Sequence, residues 1–334
     1  MEKVRFVTIG TNITDTFLKA ARTVPEFELA AVYSRSEERA REFAGRHQVS
    51  RYFTDLEEMA KWDGYEAVYV GAPIAFHYPY ARLFLEHGKH VLLEKAFTAN
   101  GEQARKLVEL AREKRLLLME AMMTTRFPNF FQIRDNLPKL GKIRRYVANF
   151  GVYSVRYDDY KAGKQVNTFR RDLCNGALLD MGVYCVAPMV ALFGKPQEVK
   201  AFGVVLDSGV DGQSTIICRY PGMDAVNLVT KITDSYLPSE IAGEEGTMFL
   251  DHIQKLQVIE IRYRDGRTES IRVEQQEMPM VYELQDFIRT LREGRRDSCL
   301  HPMQLSLDIM EVLDEVRKQT GVFYDCDKRE EESL

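Results

Sequence analysis

Val4-Arg5-Phe6-Val7-Thr8-Ile9, followed by Gly10-Thr11-Asn12-Ile13-Thr14-Asp15, reads as an apolar strand, a glycine turn and the start of a helix. This is the opening of a βα unit, and the pattern recurs through the first 120 residues. Strands are expected over residues 5–9, 28–33, 67–70, 90–93 and 116–119, with helices over 15–22, 36–45, 56–60, 76–87 and 101–115 between them. Thr54-Asp55-Leu56-Glu57 has the form of a capping box, and Gly45 and Gly88 stand where helices should stop. Continuous apolar strands alternating with helices predict an α/β fold, a Rossmann-type, doubly wound parallel sheet covered on both faces.

Beyond residue 121 the character changes. An apolar helix over 178–193 precedes alternating runs at 199–206, 213–220, 225–231, 236–242, 247–250, 256–263 and 268–273. Asp211-Gly212, Pro221-Gly222, Glu245-Gly246 and Asp265-Gly266 punctuate them as turns. The expectation is an α+β domain with a large, open, mostly antiparallel sheet, closed by helices over 279–292 and 302–320 and a frayed charged tail over 327–334. The domains are therefore drawn as 1–121, dinucleotide-binding, and 122–334, for substrate binding and oligomerisation. A sheet face rich in Val, Ile and Leu predicts a homodimer or a higher homo-oligomer.

Composition narrows the function. A formal net charge of −4 over 334 residues gives no electrostatic footprint for nucleic acid, and the basic clusters 139–145 and 292–296 read as solvated faces. Five cysteines without a CxxC pair suit a reduced, cytoplasmic setting. The six histidines show no zinc-ligand spacing, so no metal is expected. No apolar run is read as approaching the roughly 20 residues of a membrane span, and the strand pattern at Val4 leaves no room for a signal segment.

The first βα turn carries a cofactor reading. A dinucleotide fingerprint has three glycines here; this loop has Gly10, with Asn12 near the second position and Ile13 after it. The tip of the second strand, Tyr33-Ser34-Arg35-Ser36, lacks the carboxylate that binds ribose hydroxyls in NAD enzymes. Ser34 and Arg35 suit a 2′-phosphate instead, which favours NADP(H) over NAD(H).

Lys95 follows the apolar strand His90-Val91-Leu92-Leu93-Glu94, at the strand end where such folds bind ligands. Asp180-Met181-Gly182-Val183-Tyr184 places a carboxylate and a phenol four residues apart, on one face of an α-helix. Lysine, phenol and carboxylate are the groups that move a proton while a hydride moves elsewhere. Tyr184, with an ordinary pKa of about 10, is the expected acid/base, with the Lys95 ammonium favouring its phenolate. Lys95 as the base itself is the other version, and Asp180 orients a group or grips a second hydroxyl. The aromatic and basic stretch between Gly151 and Arg171, with Tyr157 and Phe169, and also Arg126, suits a sugar, polyol or diol substrate.

Val68-Tyr69-Val70-Gly71-Ala72-Pro73, then His77, then Gly88-Lys89-His90-Val91-Leu92-Leu93-Glu94-Lys95, is similar to the TPxxxH and GKHVxxEKP segments of the Gfo/Idh/MocA oxidoreductase family. Gly176-Ala177-Leu178-Leu179-Asp180-Met181-Gly182-Val183-Tyr184 resembles that family's GGxLxDxGxH/Y helix start. Tyr184, Glu120-Ala121 and Arg126-Phe127 resemble the dihydrodiol and D-xylose dehydrogenase branch. The resemblance implies that Lys95, Asp180 and Tyr184 line the reaction site. It implies that Ala72, Pro73, Glu94 and Lys95 border the nicotinamide and its ribose, that His77 starts the adjoining helix, and that oligomers form through the C-terminal sheet. Ala96 departs from the family's EKP proline, and the loop after Gly10 lacks the later glycines. Two other readings stand beside a dehydrogenase: a nucleotide-binding sensor with little catalysis, and a different enzyme class on the same scaffold.

Overall fold

The computed structural model describes residues 3–327. The tail expected over 327–334 lies outside them except for Asp327, which is held in a 3-10 turn, Asp325–Asp327, and accepts hydrogen bonds from Arg317 and the Tyr324 amide. Contacts divide the described chain into two compact units. The first gathers residues 3–98, 102–123 and 276–303, the second 99–101, 124–275 and 304–327. The single cut expected after residue 121 is thus corrected: the chain leaves the first unit and later returns to it.

The first unit is built on six parallel strands, β1 (Val4–Ile9), β2 (Phe27–Tyr33), β3 (Tyr52–Phe53), β4 (Ala67–Val70), β5 (His90–Glu94) and β6 (Leu118–Ala121). Their order is β3-β2-β1-β4-β5-β6, which places the strand-order reversal between β1 and β4. Helices α1 (Asn12–Ala21), α2 (Glu37–Arg46), α3 (Leu56–Lys61), α4 (His77–Glu86) and α5 (Gly101–Lys114) connect them. Every residue of β4 and β6 is buried, which explains the unbroken apolar sequence of β4, while β6 carries one buried carboxylate, Glu120. The α3 cap is Asp55, whose carboxylate accepts from the Glu58 amide, one residue later than the box read at Thr54. The return segment supplies helix Val281–Arg292, and its Phe287 ring lies 5.4 Å from Phe6 in the core.

The second unit is built on eight strands, β7 (Ile143–Gly151), β8 (Glu198–Val205), β9 (Asp211–Tyr220), β10 (Met223–Thr230), β11 (Ser239–Gly243), β12 (Gly246–Leu250), β13 (Ile259–Tyr263) and β14 (Thr268–Ser270). The order is β14-β13-β12-β11-β7-β10-β9-β8, with β7 and β10 parallel and the other neighbours antiparallel. Strand β7 is missing from the sequence reading, although it sits in the middle of the sheet. Its first residues, Arg144 and Arg145, belong to a cluster read as a solvated face. They are solvated, and also pair with Glu244 and Asp224 beside neighbouring strands.

Short helices α6 (Pro128–Asn136) and α7 (Tyr157–Lys161) precede a mostly helical run, residues 171–193, which is broken at the positive-φ residues Cys174 and Gly176 and ends in α8 (Val183–Phe193). This run is long and apolar enough to cross a membrane by length and composition, contrary to the reading above. Its most apolar window is 72% buried within the protein, the situation of a core helix. The helix α8 packs on one face of the sheet, where the buried Tyr146 hydroxyl of β7 donates to the Cys185 carbonyl at 3.0 Å.

Candidate active site

In the first unit, β1 ends at Ile9 and the chain turns at Gly10, whose φ of +101° suits glycine. A Cβ there would lie 2.2 Å from the Gly71 carbonyl oxygen, so glycine is also what lets the loops after β1 and β4 touch. Helix α1 begins two residues later, and its N-cap Thr11 makes no side-chain capping bond. The first-turn amides of Asn12 and Ile13 therefore form a helix N-terminus of the kind that binds phosphate. A cavity of about 570 Å³ adjoins this turn, lined by Thr11, Asn12, Asp15, Arg39, Glu42, Phe43 and Arg46. Asp15 would repel a phosphate, but Lys19 bonds its carboxylate at 2.8 Å and His47 at 3.1 Å, and the Lys19 bond holds its pKa low.

At the end of β2, the Ser34 amide donates to the Phe53 carbonyl at 3.2 Å, and the Arg35 guanidinium lies 6.0 Å from the centre of the Phe76 ring. Arg39, further along the chain, lines the cavity and was not singled out from the sequence. It stands in the first turn of α2, whereas Arg35 precedes the extended N-cap Ser36, so no helical spacing links the two. One glycine turn, an open helix start and two guanidiniums at the β2 end suit a dinucleotide that carries an extra phosphate.

The ends of β4 and β5 are tied together by His77. Its Nε2 lies 2.8 Å from the Ala72 carbonyl and its Nδ1 lies 2.9 Å from the Ala96 carbonyl. Burial pulls the ring pKa down, and the bonds to the Ala72, Ala96 and Phe97 carbonyls oppose that shift. Pro73 is exposed and Ala72 half-buried on the loop after β4. Lys95 follows β5 directly and is half-buried, and the Lys95–Ala96 peptide bond is cis. Glu94 turns inward: its carboxylate accepts the Tyr69 hydroxyl at 2.6 Å and the Lys95 amide at 3.1 Å, and burial raises its pKa. Glu94 thus supports the strand end that presents Lys95.

In the second unit, the helix expected over 178–193 is not uniform. Residues Leu178–Gly182 form a π-turn, in which the Val183 amide bonds the Leu178 carbonyl five residues back, and only then does α8 begin. Asp180 and Tyr184 therefore straddle a change of pitch, which corrects the simple one-face spacing. Pro188, inside α8, lacks the amide that would bond the Tyr184 carbonyl. The turn is capped from outside the helix: the buried Asp211 carboxylate accepts the Leu178 amide at 2.7 Å and the Ser214 hydroxyl at 3.1 Å, and burial raises its pKa. Asp180 receives Lys231, whose Nζ lies 2.6 Å from Oδ2. The Tyr184 ring meets Phe150 edge-on at 5.9 Å.

Neither Asp211 nor Lys231 was picked out from the sequence. Asp211-Gly212 read as a turn, and Lys231 as the last residue of a strand.

Tyr157 and Phe169 line a cleft of about 990 Å³ in this unit, with Tyr160, Arg170, Arg171 and Ser208 among the other lining residues. The Tyr157 and Phe169 rings stand 5.5 Å apart. Arg126, expected beside them, is 2% exposed in a 3-10 turn, Thr124–Arg126, and does not line the cleft. Among the described residues no cluster of His, Cys, Asp and Glu could hold a metal ion.

Residues 4–122 match the oxidoreductase family with an NAD-binding Rossmann fold, and residues 138–249 match the Gfo/Idh/MocA C-terminal domain. A scyllo-inositol 2-dehydrogenase (NADP(+)) of Bacillus subtilis (strain 168) is 45% identical over 326 residues, 97% of this chain and 99% of that protein. The human trans-1,2-dihydrobenzene-1,2-diol dehydrogenase is 31% identical over 345 residues, 95% of this chain and 96% of its own length. A 3-ketoreductase from Actinomadura kijaniata, solved with NADP and TDP-benzene, superposes with a TM-score of 0.83 at 26% identity and covers 96% of this chain and 98% of its own. The chain belongs to the Gfo/Idh/MocA oxidoreductases and is a dehydrogenase of the class that acts on CH–OH groups.

Proposed function

We propose that this enzyme uses NADP(H) in preference to NAD(H) to interconvert a secondary alcohol and its ketone on a cyclic polyol, sugar or trans-dihydrodiol. The observation that carries the reading is the presentation of Lys95: it follows a buried parallel strand, is braced by Glu94, and lies beside the loops that His77 ties. The named relatives support the substrate class and the cofactor, since one is an NADP-dependent inositol dehydrogenase and another a dihydrodiol dehydrogenase. The residues that would hold the nucleotide are Gly10, Asn12 and Ile13 at the helix start, Ser34, Arg35 and Arg39 at the β2 end, and Ala72 and Pro73 after β4.

The bound nicotinamide supplies or accepts the hydride. The chain's own part is to hold the alcohol and move its hydroxyl proton. Tyr184 is assigned as the acid/base and Lys95 as the cation that favours its phenolate. Asp180 grips a neighbouring hydroxyl, and Tyr157 and Phe169 supply apolar faces for a ring. The protein is placed in the cytoplasm as a homodimer or larger homo-oligomer formed through the open face of the eight-stranded sheet.

Calorimetric titration with NADPH, NADP, NADH and NAD, followed by a panel of inositols, aldoses and cyclic diols, tests the reading. Tighter binding of the phosphorylated nucleotides and turnover of at least one polyol or diol are expected. Preference for NADH refutes the role given to Ser34 and Arg35, and binding without turnover of any alcohol favours a sensor.

A further inference from the structure

Lys231 is the least expected charge in the second unit. It follows β10, its side chain is only 5% exposed, and burying an ammonium costs several kcal/mol unless it is paired and hydrogen-bonded. It is paired: Nζ donates to Asp180 Oδ2 at 2.6 Å and reaches the Gly176 carbonyl at 3.4 Å. The backbone amide of Lys231 donates to the Gly212 carbonyl at 2.9 Å, which fixes the start of the side chain. The Phe169 ring lies 6.0 Å from Nζ, and the Lys231 ammonium is close enough to the buried Asp211 carboxyl to oppose the upward pull of burial on its pKa. The Asp180 side chain, by contrast, is 42% exposed. A buried cation near the Phe169 ring therefore holds one oxygen of a half-exposed carboxylate, although neither Lys231 nor Asp180 lines the cleft itself.

We infer that Lys231 is a positioning residue for polyol binding. It fixes the rotamer of Asp180 at the π-turn, so that the carboxylate can accept a substrate hydroxyl. The inference rests on the function proposed above. A surface ion pair would not explain the burial, because an exposed lysine would serve equally well. A purely structural lysine would not need a half-exposed partner.

The test is a double-mutant cycle on the full-length protein, with Lys231→Met, Asp180→Ala and the pair together. It is read on steady-state KM and kcat for scyllo-inositol, or for whichever polyol the wild type turns over best, and on calorimetric binding of that polyol. Lys231→Met should raise KM about tenfold or more, with a smaller effect on kcat and unchanged NADPH affinity. Lys231→Arg, which restores a cation, should recover part of the loss. In the Asp180→Ala background Lys231→Met should change kcat/KM and polyol affinity by less than about twofold, since its partner is gone.

Wild-type KM in Lys231→Met, or penalties that multiply in the double variant, would overturn the inference and leave the proposed function standing. A wild-type protein that turns over no polyol would remove that reading and this inference together. Should Lys231→Met fail to fold, Lys231→Arg and Lys231→Gln carry the same comparison.

Discussion

At the scale of single residues, the groups proposed for chemistry are held by neighbours: Glu94 bonds the Lys95 amide, Lys231 bonds Asp180, and Asp211 caps the turn that carries Asp180. Lys95, Asp180 and Tyr184 stand out because strand-end and helix-start positions are where such groups do chemistry. Glu94 was named from the sequence beside Lys95, whereas Asp211 and Lys231 act through hydrogen bonds across distant parts of the chain. Asp211 lies 33 residues from the Leu178 amide that it caps, and Lys231 lies 51 residues from Asp180. No local pattern encodes such a pairing. Arg39 lies in the first turn of α2 and Arg35 before its extended N-cap, so their common end of the sheet shows only in the fold. Both guanidiniums carry a prediction. Arg35→Ala and Arg39→Ala should each weaken NADPH binding about tenfold or more, as expected when a charge-assisted bond worth about 1.5–3 kcal/mol is lost. NADH binding should stay within about twofold of wild type. Equal losses for both nucleotides in a calorimetric comparison would place the arginines outside the 2′-phosphate contact.

At the scale of elements, the continuous apolar strands and the alternating strands β8 to β14 were found from sequence, and β3 and β7 were lost. β4 and β5 fell within a residue of expectation because both faces are buried. β7 was missed because its first half carries two arginines that point to solvent and pair across strands, which hides the alternation of Tyr146 and Ala148. The π-turn at Leu178–Gly182 could not be foreseen, since its cap arrives from β9.

Strand pairing also carries a pH signature. The Nδ1 atom of His90 accepts the Leu117 amide at 2.9 Å, a bond that only an unprotonated nitrogen can accept, and burial pulls the ring from 6.5 down to about 4. As pH falls the unfolded chain takes up this proton first, so the contribution is complete above pH 6.5 and is lost between pH 6.5 and about 4. Its size is at most roughly 3 kcal/mol. Melting curves over that window should show stability falling with acid, and His90→Gln should flatten the slope. Parallel slopes in the two proteins would exclude His90 as a source.

At the scale of the whole molecule, the fold class was legible and the path of the chain was not. Nothing in residues 276–303 says that their helix completes the first unit, because an amphipathic helix does not name the surface it covers. The Phe287 and Phe6 rings make that assignment only in three dimensions. The second sheet keeps one face for α8. On the other face the register aligns Val147, Val226 and Ile217, with Leu228 and Phe202 in the adjoining row. Phe202 is 74% exposed there, and an apolar face of this breadth suits a second copy of the chain. Light scattering should give at least twice the 38.6 kDa chain mass, and Phe202→Asp should shift the population towards the single-chain value. A wild-type mass of one chain at working concentration would rule out the homo-oligomer.

The central claim is that this chain is an NADP-linked polyol dehydrogenase whose proton step runs through Tyr184 and Lys95. The most direct measurement is NADP reduction with scyllo-inositol and the cyclic diols by wild type, Tyr184→Phe and Lys95→Met, each checked for nucleotide binding. The account predicts turnover by wild type and a loss in kcat of about two to four orders of magnitude in either variant, with nucleotide affinity largely retained. Undiminished kcat in both variants, or nucleotide binding by wild type without oxidation of any alcohol offered, would contradict it.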